Sequence, residues 1–231
     1  LTPLLRRFVF ACFLLSGFAG LVYQIVWVRM ALASFGVITP FASAVVSIFM
    51  LGLALGTWGG GHWIRHVSGR LGISPLVLYG VIEAGVGLGA FVLPPLLSAA
   101  RQALLPLGGM ESGLYLAASS ALLAGAMLPF CIAMGATFPA MMAFIEDHEP
   151  EPGGSFSFLY LANVIGAFLG AVATPVFLIE WLGFSGSLEV AALANFIVAA
   201  SCFALAKGLG SPANSATGPA RAAPAPKSLP A

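Results

Sequence analysis

The sequence predicts an all-α integral membrane protein, a bundle of about six transmembrane helices with both termini in the cytoplasm and a disordered C-terminal linker. Three observations predict it. First, 60% of the 231 residues are hydrophobic and 7% charged, with a mean hydropathy of +1.02, whereas a soluble domain carries about 25% charged residues. So few charges cannot coat a water-facing surface, and lipid must be the solvent for most of the chain. Second, apolar runs of about 20 residues or more, separated by short polar stretches, are each long enough to cross a hydrocarbon core of about 30 Å as a helix. Third, the basic residues concentrate in alternate connections, as the positive-inside rule requires. The net charge of +1 leaves no basic face for nucleic acid.

The membrane domain occupies residues 1–206 and a Pro/Ala-rich tail or linker residues 207–231. The first span, 8–35, is longer than a signal peptide and ends without a small-residue cleavage pattern. Within it Arg7 and Arg29 bracket about 21 residues, or about 32 Å of helix. Arg29 therefore marks an interface, with Trp27 as an aromatic-belt neighbour. Gln24 lies deeper, on a stripe with Gly17 and Gly20, where it is placed to hydrogen-bond a neighbouring helix.

The second span, 41–63, opens at Thr39-Pro40 and the third, 75–97, at Ser74-Pro75, each a capping hydroxyl followed by proline at the first helical position. Gly59, Gly60 and Gly61 resemble a phosphate-cradling loop, but they end an apolar helix instead of joining strand to helix. His62 and His66 have i,i+4 spacing without a third ligand, so no metal site is assigned. Glu83 falls near the midplane of the third span, where an ionised carboxylate is costly. It reads either as a neutral, hydrogen-bonded packing residue or as a proton- or cation-linked one, with Gly80, Gly85, Gly87 and Gly89 leaving room beside it. Pro94-Pro95 is expected to close this span.

Pro129 and Pro139 interrupt the fourth span, 114–145, as kinks or as a break of the kind that lines transporter sites. The acidic stretch EDHEPEPGG follows; its Glu146, Asp147, Glu149 and Glu151 form a solvated loop or a patch attractive to polyamines. In the fifth span, 156–179, Asn163 shares a face with Gly166, Gly170 and Thr174, a small-residue surface for helix packing. The sixth span is 187–206, with Glu180 and Glu189 at the outer boundary. Cys12, Cys131 and Cys202 lie singly in apolar runs and read as buried small hydrophobes.

With the N-terminus inside, Arg6, Arg7, Arg65, Arg70, Lys207, Arg221 and Lys227 are cytoplasmic, and Arg29 and Arg101 fall outside. The tail after Lys207 has no apolar periodicity and should stay extended, as tethers do. The start at Leu1 fits a processed product or a piece of a longer protein. The polar residues expected to form an intramembrane site are Glu83, Gln24 and Asn163. No catalytic residue, metal or cofactor is assigned.

Four stretches carry a family resemblance: SGFAGLVYQIVWVRM at 16–30, MLGLALGTWGGG at 50–61, MGATFPAMM at 134–142, and FLYLANVIGAFLGAV at 158–172 followed by LGFSGSLEVAALAN. Together they resemble the transmembrane domain of membrane-bound spermidine-synthase-like proteins. The positions matching that signature are Tyr23, Gln24, Trp27, Arg29, Gly135, Pro139, Tyr160, Asn163, Gly166 and Gly170. The resemblance implies a helical domain of six or more spans, similar to half of a major-facilitator transporter, fused to a cytosolic aminopropyltransferase-like domain with a Rossmann-like methyltransferase fold. That domain's glycine-rich loop and acidic residues match nothing in this chain, so no catalytic residue carries over. The segment GHWIRHVSGR, read as the connection between spans two and three, looks like the transporter pattern GxxxDRxGR with Ile64 in place of the acid.

The resulting expectation is a non-catalytic module of the cell (inner) membrane that tethers a polyamine-synthase-like domain at the cytosolic face. The alternatives are a transporter, or half of one, for a polyamine or other small solute, and a structural subunit that docks other membrane subunits through its glycine-rich faces. The lipid bilayer is the partner common to all three.

Overall fold

The computed structural model describes residues 2–36, 39–105, 112–149 and 153–209. Every regular element among them is helical: α1 (Pro3–Phe35), α2 (Thr39–Leu71), α3 (Pro75–Leu104), α4 (Ser112–Glu146), α5 (Gly153–Ala173), a π-helical turn (Thr174–Leu178) and α6 (Ile179–Leu209). The starts follow local chemistry. Thr2 Oγ1 accepts from the Leu5 amide at 3.3 Å ahead of Pro3, and Ser74 Oγ accepts from the Leu76 amide at 3.2 Å ahead of Pro75. Each hydroxyl thus satisfies an amide that the first turn leaves free.

Five stretches are long and apolar enough to cross a bilayer: Pro3–Phe35, Thr39–Leu71, Pro75–Leu104, Gly113–Glu146 and Gly154–Gly208. The last holds 55 residues, about 80 Å as a straight rod. It is not straight: inside α6, Gly183 sits at φ 67° and ψ −170°, outside helical geometry. The fifth and sixth expected runs, 156–179 and 187–206, thus fall within this one stretch, before and after Gly183.

Two expected boundaries are corrected. The segment 61–70 is not a loop, because α2 continues through it to Leu71 and Gly59–Gly61 lie within the helix. Pro94-Pro95 does not close the third span either, since α3 runs on to Leu104. For α3, an interruption among apolar surroundings would expose several backbone groups, whereas a proline pair within a continuous helix removes few bonds. For α2, continuing the helix through the polar 61–70 segment brings Arg65 to Glu146 and Asp147 at the end of α4. The expected tail begins in the last turn of α6; residues 210–231 lie outside the described residues, as does Glu151 of the acidic stretch.

Side-chain registers fix the helix directions. Phe10 meets Phe158 with ring centroids 5.0 Å apart, and Gly170 abuts the Phe18 backbone, so α1 and α5 run parallel. Gly52, Gly56 and Gly60 of α2 meet Cys131, Gly135 and Pro139 of α4 in order, so these two are also parallel. Phe13 stacks on Tyr79 at 5.8 Å, and Ser16 lies beside Glu83, which makes α3 parallel to α1. Gly80 faces Phe203 and Gly87 faces Phe196, so α6 descends antiparallel to α3. Its end therefore returns to the end of the bundle where α1 starts, and Cys202 lies beside Cys12.

The core forms two apolar layers. One gathers Tyr23, Trp27, Phe41, Leu97 and Leu123; the other, nearer the start of α1, gathers Phe13, Leu76, Tyr79, Met141 and Phe144. Trp27 corrects the sequence reading. It is not an aromatic-belt residue but 0% exposed, packed on Tyr23 at 4.8 Å and Phe130 at 6.1 Å. Depth along a helix says nothing about which way a side chain faces, and Trp27 faces inward. Arg29, two residues on, is exposed.

Candidate functional site: a cavity between the helices

Close approach of α2 and α4 shapes one wall of the site. A Cβ on Gly56 would overlap the Ile132 carbonyl, and one on Gly135 would overlap the Leu53 carbonyl, so the backbones touch only because both residues are glycine. Pro139, one turn after Gly135, has no amide to donate, which leaves the Gly135 carbonyl without its helical partner. The one Thr57 Oγ1 proton of α2 is shared between that carbonyl, at 3.1 Å, and Leu53 O, at 2.9 Å. Across the bundle, Gly166 and Gly170 of α5 lie against the backbone of Leu14 and Phe18 in α1. These contacts put Gly135, Pro139, Gly166 and Gly170 at helix seams.

At the junction of the two apolar layers lies a cavity of about 400 Å³. The three expected site residues, Glu83, Gln24 and Asn163, all line it, from α3, α1 and α5 respectively. Ser16, Thr57, Thr137, Tyr160 and Asn195 add polar groups, and Phe13, Phe49, Phe138 and Phe156 add aromatic walls. Phe156 and Tyr160 belong to the first turns of α5 and Phe138 to the last third of α4. The cavity thus extends from mid-bundle toward the end where α1 begins.

Glu83 is the one formally charged residue in this lining, and no basic side chain is among the lining residues. It is 0% exposed; its Oε2 accepts from Asn195 Nδ2 at 2.6 Å, and Asn195 is itself 2% exposed. Five buried polar atoms have no hydrogen-bond partner among the described residues: Glu83 Oε1, Asn195 Oδ1, Tyr79 Oη, Tyr23 Oη and Trp27 Nε1. The Tyr79 and Ser16 hydroxyls neighbour the Glu83 carboxyl, close enough for a small rotation to hydrogen-bond it, as buried polar groups in proteins generally are.

Asn195 is the residue that sequence reading passed over. Its signal is of the same kind as that of Asn163, an amide within an apolar run, but its partner lies 112 residues away. Thr57 was equally inconspicuous, because its role depends on a proline in another helix. Of the remaining signature positions, Tyr23 and Trp27 are in the core and Tyr160 is at the cavity.

Outside the bundle, Arg65 donates to Glu146 and to Asp147, the latter at 3.3 Å. Glu149 accepts from Ser155 Oγ, which holds its carboxyl below the usual range. The described acids of the loop are therefore engaged locally. His62 and His66 are exposed in the last third of α2.

Among proteins of known activity, the chain is similar to polyamine aminopropyltransferase 2 of Streptomyces coelicolor, with 28% identity over 201 residues. The match covers 86% of this chain and 34% of that protein, so the chain spans about a third of its relative's length. No family model and no solved structure matches, and nothing in these comparisons supports a major-facilitator likeness. The chain is thus a helical protein with five segments long and apolar enough to cross a membrane and a distant, partial relatedness to a polyamine aminopropyltransferase.

Proposed function

We propose that this chain is the non-catalytic membrane module of a spermidine-synthase-like protein. It crosses the cell (inner) membrane six times, with Gly183 as the turn between the fifth and sixth crossings, and holds a polyamine-synthase-like domain at the cytoplasmic face through the Pro/Ala-rich tail. The observation that carries the reading is the asymmetric match, most of this chain against a third of a polyamine aminopropyltransferase. Two features of the bundle support the topology. The start of α1 and the end of α6 share one end of the bundle, and Arg6, Arg7, Arg65, Arg70 and Lys207 gather there. Arg29 and Arg101 lie toward the other end, the distribution expected when the crowded end is cytoplasmic.

Labelling tests it. In a background with Cys12, Cys131 and Cys202 replaced by serine, single cysteines at Thr2, Gly36 and Gly208 are exposed to a membrane-impermeant maleimide on spheroplasts. Gly36 should react from outside, and Thr2 and Gly208 only after lysis. Reaction of either terminal site in intact spheroplasts would overturn the topology. Removing residues 1–206 from the parent protein should release its synthase-like portion to the soluble fraction; retention in the membrane would overturn the tether.

A further inference from the structure

The membrane-module reading requires helices, but it does not require a cavity. We propose that the cavity binds a small amphiphilic organic cation bearing a single ammonium group, with the head at Glu83 and Asn195 and the apolar stem among Phe49, Phe138 and Phe156.

The lining determines the sign of the ligand. It carries a carboxylate, the amides of Gln24, Asn163 and Asn195, hydroxyl groups, and no lysine, arginine or histidine. An anionic ligand would find no basic group in the lining, whereas a cation would pair with Glu83 as its carboxyl gives up a proton.

Hydrogen-bond inventory narrows the head group further. Glu83 Oε1 and Asn195 Oδ1 have no hydrogen-bond partner in bonding geometry among the described residues; the residues carrying them are joined at 2.6 Å through Oε2 and Nδ2, and the Ser16 and Tyr79 hydroxyls stand beside Glu83. An ammonium has donors only, enough to serve both oxygens at once. A neutral alcohol has a single donor.

The stem follows from the walls. Phe13, Phe49, Phe138 and Phe156 present rings to the same space, suited to an alkyl or aryl chain and to cation–π attraction of the head. The volume of about 400 Å³ falls in the range of small-molecule sites, roughly 300–1,000 Å³. With one carboxylate in the lining, a second ammonium would find amides but no counter-charge, so a monoamine is preferred to a diamine of similar length.

Equilibrium dialysis of the full chain in lipid nanodiscs, against empty nanodiscs, tests the assignment with 4-phenylbutylamine, 4-phenylbutanol and 1,4-diaminobutane as probes. The amine should bind saturably at one site per chain, with the alcohol and the diamine each at least tenfold weaker. Glu83→Gln, which keeps shape and volume, should weaken amine binding at least tenfold while leaving the thermal unfolding midpoint of the unliganded protein near that of wild type. Phe138→Ala should weaken 4-phenylbutylamine more than n-butylamine, separating stem from head. If Glu83→Gln unfolds the protein, Asn195→Asp takes its place and should tighten amine binding relative to the alcohol. Absence of saturable amine binding, alcohol binding equal to that of the amine, or undiminished binding in folded Glu83→Gln would overturn the proposal, and a diamine binding as tightly as the monoamine would overturn the single-ammonium assignment.

Discussion

Gly56→Ala adds one methyl group at the tightest point of the α2–α4 seam. The new Cβ would sit on the Ile132 carbonyl and 2.9 Å from Gly135 Cα, where carbon atoms prefer about 3.5–4.0 Å. Because the obstructing atoms are backbone, no rotamer change relieves the overlap, and the helices must part by about 1 Å. That movement takes Thr57 Oγ1, now 3.1 Å from Gly135 O, beyond hydrogen-bonding distance. It leaves a carbonyl that Pro139 cannot serve. Overpacking costs about 1–3 kcal/mol, and an unsatisfied buried acceptor about 1–3 kcal/mol. The expected destabilisation is therefore about 2–6 kcal/mol, against a gain of up to about 1 kcal/mol from replacing glycine by alanine in a helix. Gly59→Ala, three residues along the same helix, meets nothing within 4 Å and should be neutral or slightly stabilising. Reversible unfolding in mixed micelles, followed by tryptophan fluorescence, measures both variants. A Gly56→Ala protein within about 0.5 kcal/mol of Gly59→Ala would refute the seam.

Thr57→Val should cost about 1–2 kcal/mol in the wild type but markedly less in a Pro139→Ala background, where the restored amide serves Gly135 O; additive losses in this double-mutant cycle would refute the compensation. Gly183→Ala forces a side chain into a backbone region that is nearly exclusive to glycine and should cost about 1–3 kcal/mol, read from the same unfolding curves; an unchanged midpoint would mean that the break is not at Gly183. Trp27→Ala should destabilise by about 3–5 kcal/mol, whereas Trp58→Ala, at a position 78% exposed, should change little. In single-tryptophan proteins, brominated lipids should quench Trp58 and spare Trp27, and the reverse result would return Trp27 to the interface.

The all-helical class was legible in composition, and the interiors of α1 to α4 in the length of apolar runs, because a chain this apolar must pair its backbone groups within itself. Where a helix stops was less legible. Pro94-Pro95 and Gly59–Gly61 are breakers in water, but α2 and α3 pass through them. For the site, Glu83, Gln24 and Asn163 stood out as polar residues at depth, and they do line one cavity. Asn195 and Thr57 did not stand out, since what distinguishes them is a contact from another helix. Trp27 was misread for a related reason: α1 is apolar on all sides, so its pattern does not reveal the inward face.

Each early helix packs chiefly on a later one, α1 on α5, α2 on α4 and α3 on both α4 and α6. Glu83 and Asn195 are separated by 112 residues, so at a synthesis rate of about 5–20 residues per second the carboxyl waits about 6–22 s for its amide. During that interval the nascent chain exposes glycine-lined helix faces and an acid to lipid or to the insertion machinery. The helix that carries the acid is thus made well before the one that carries its amide partner, and the site closes only when the last helix is in place.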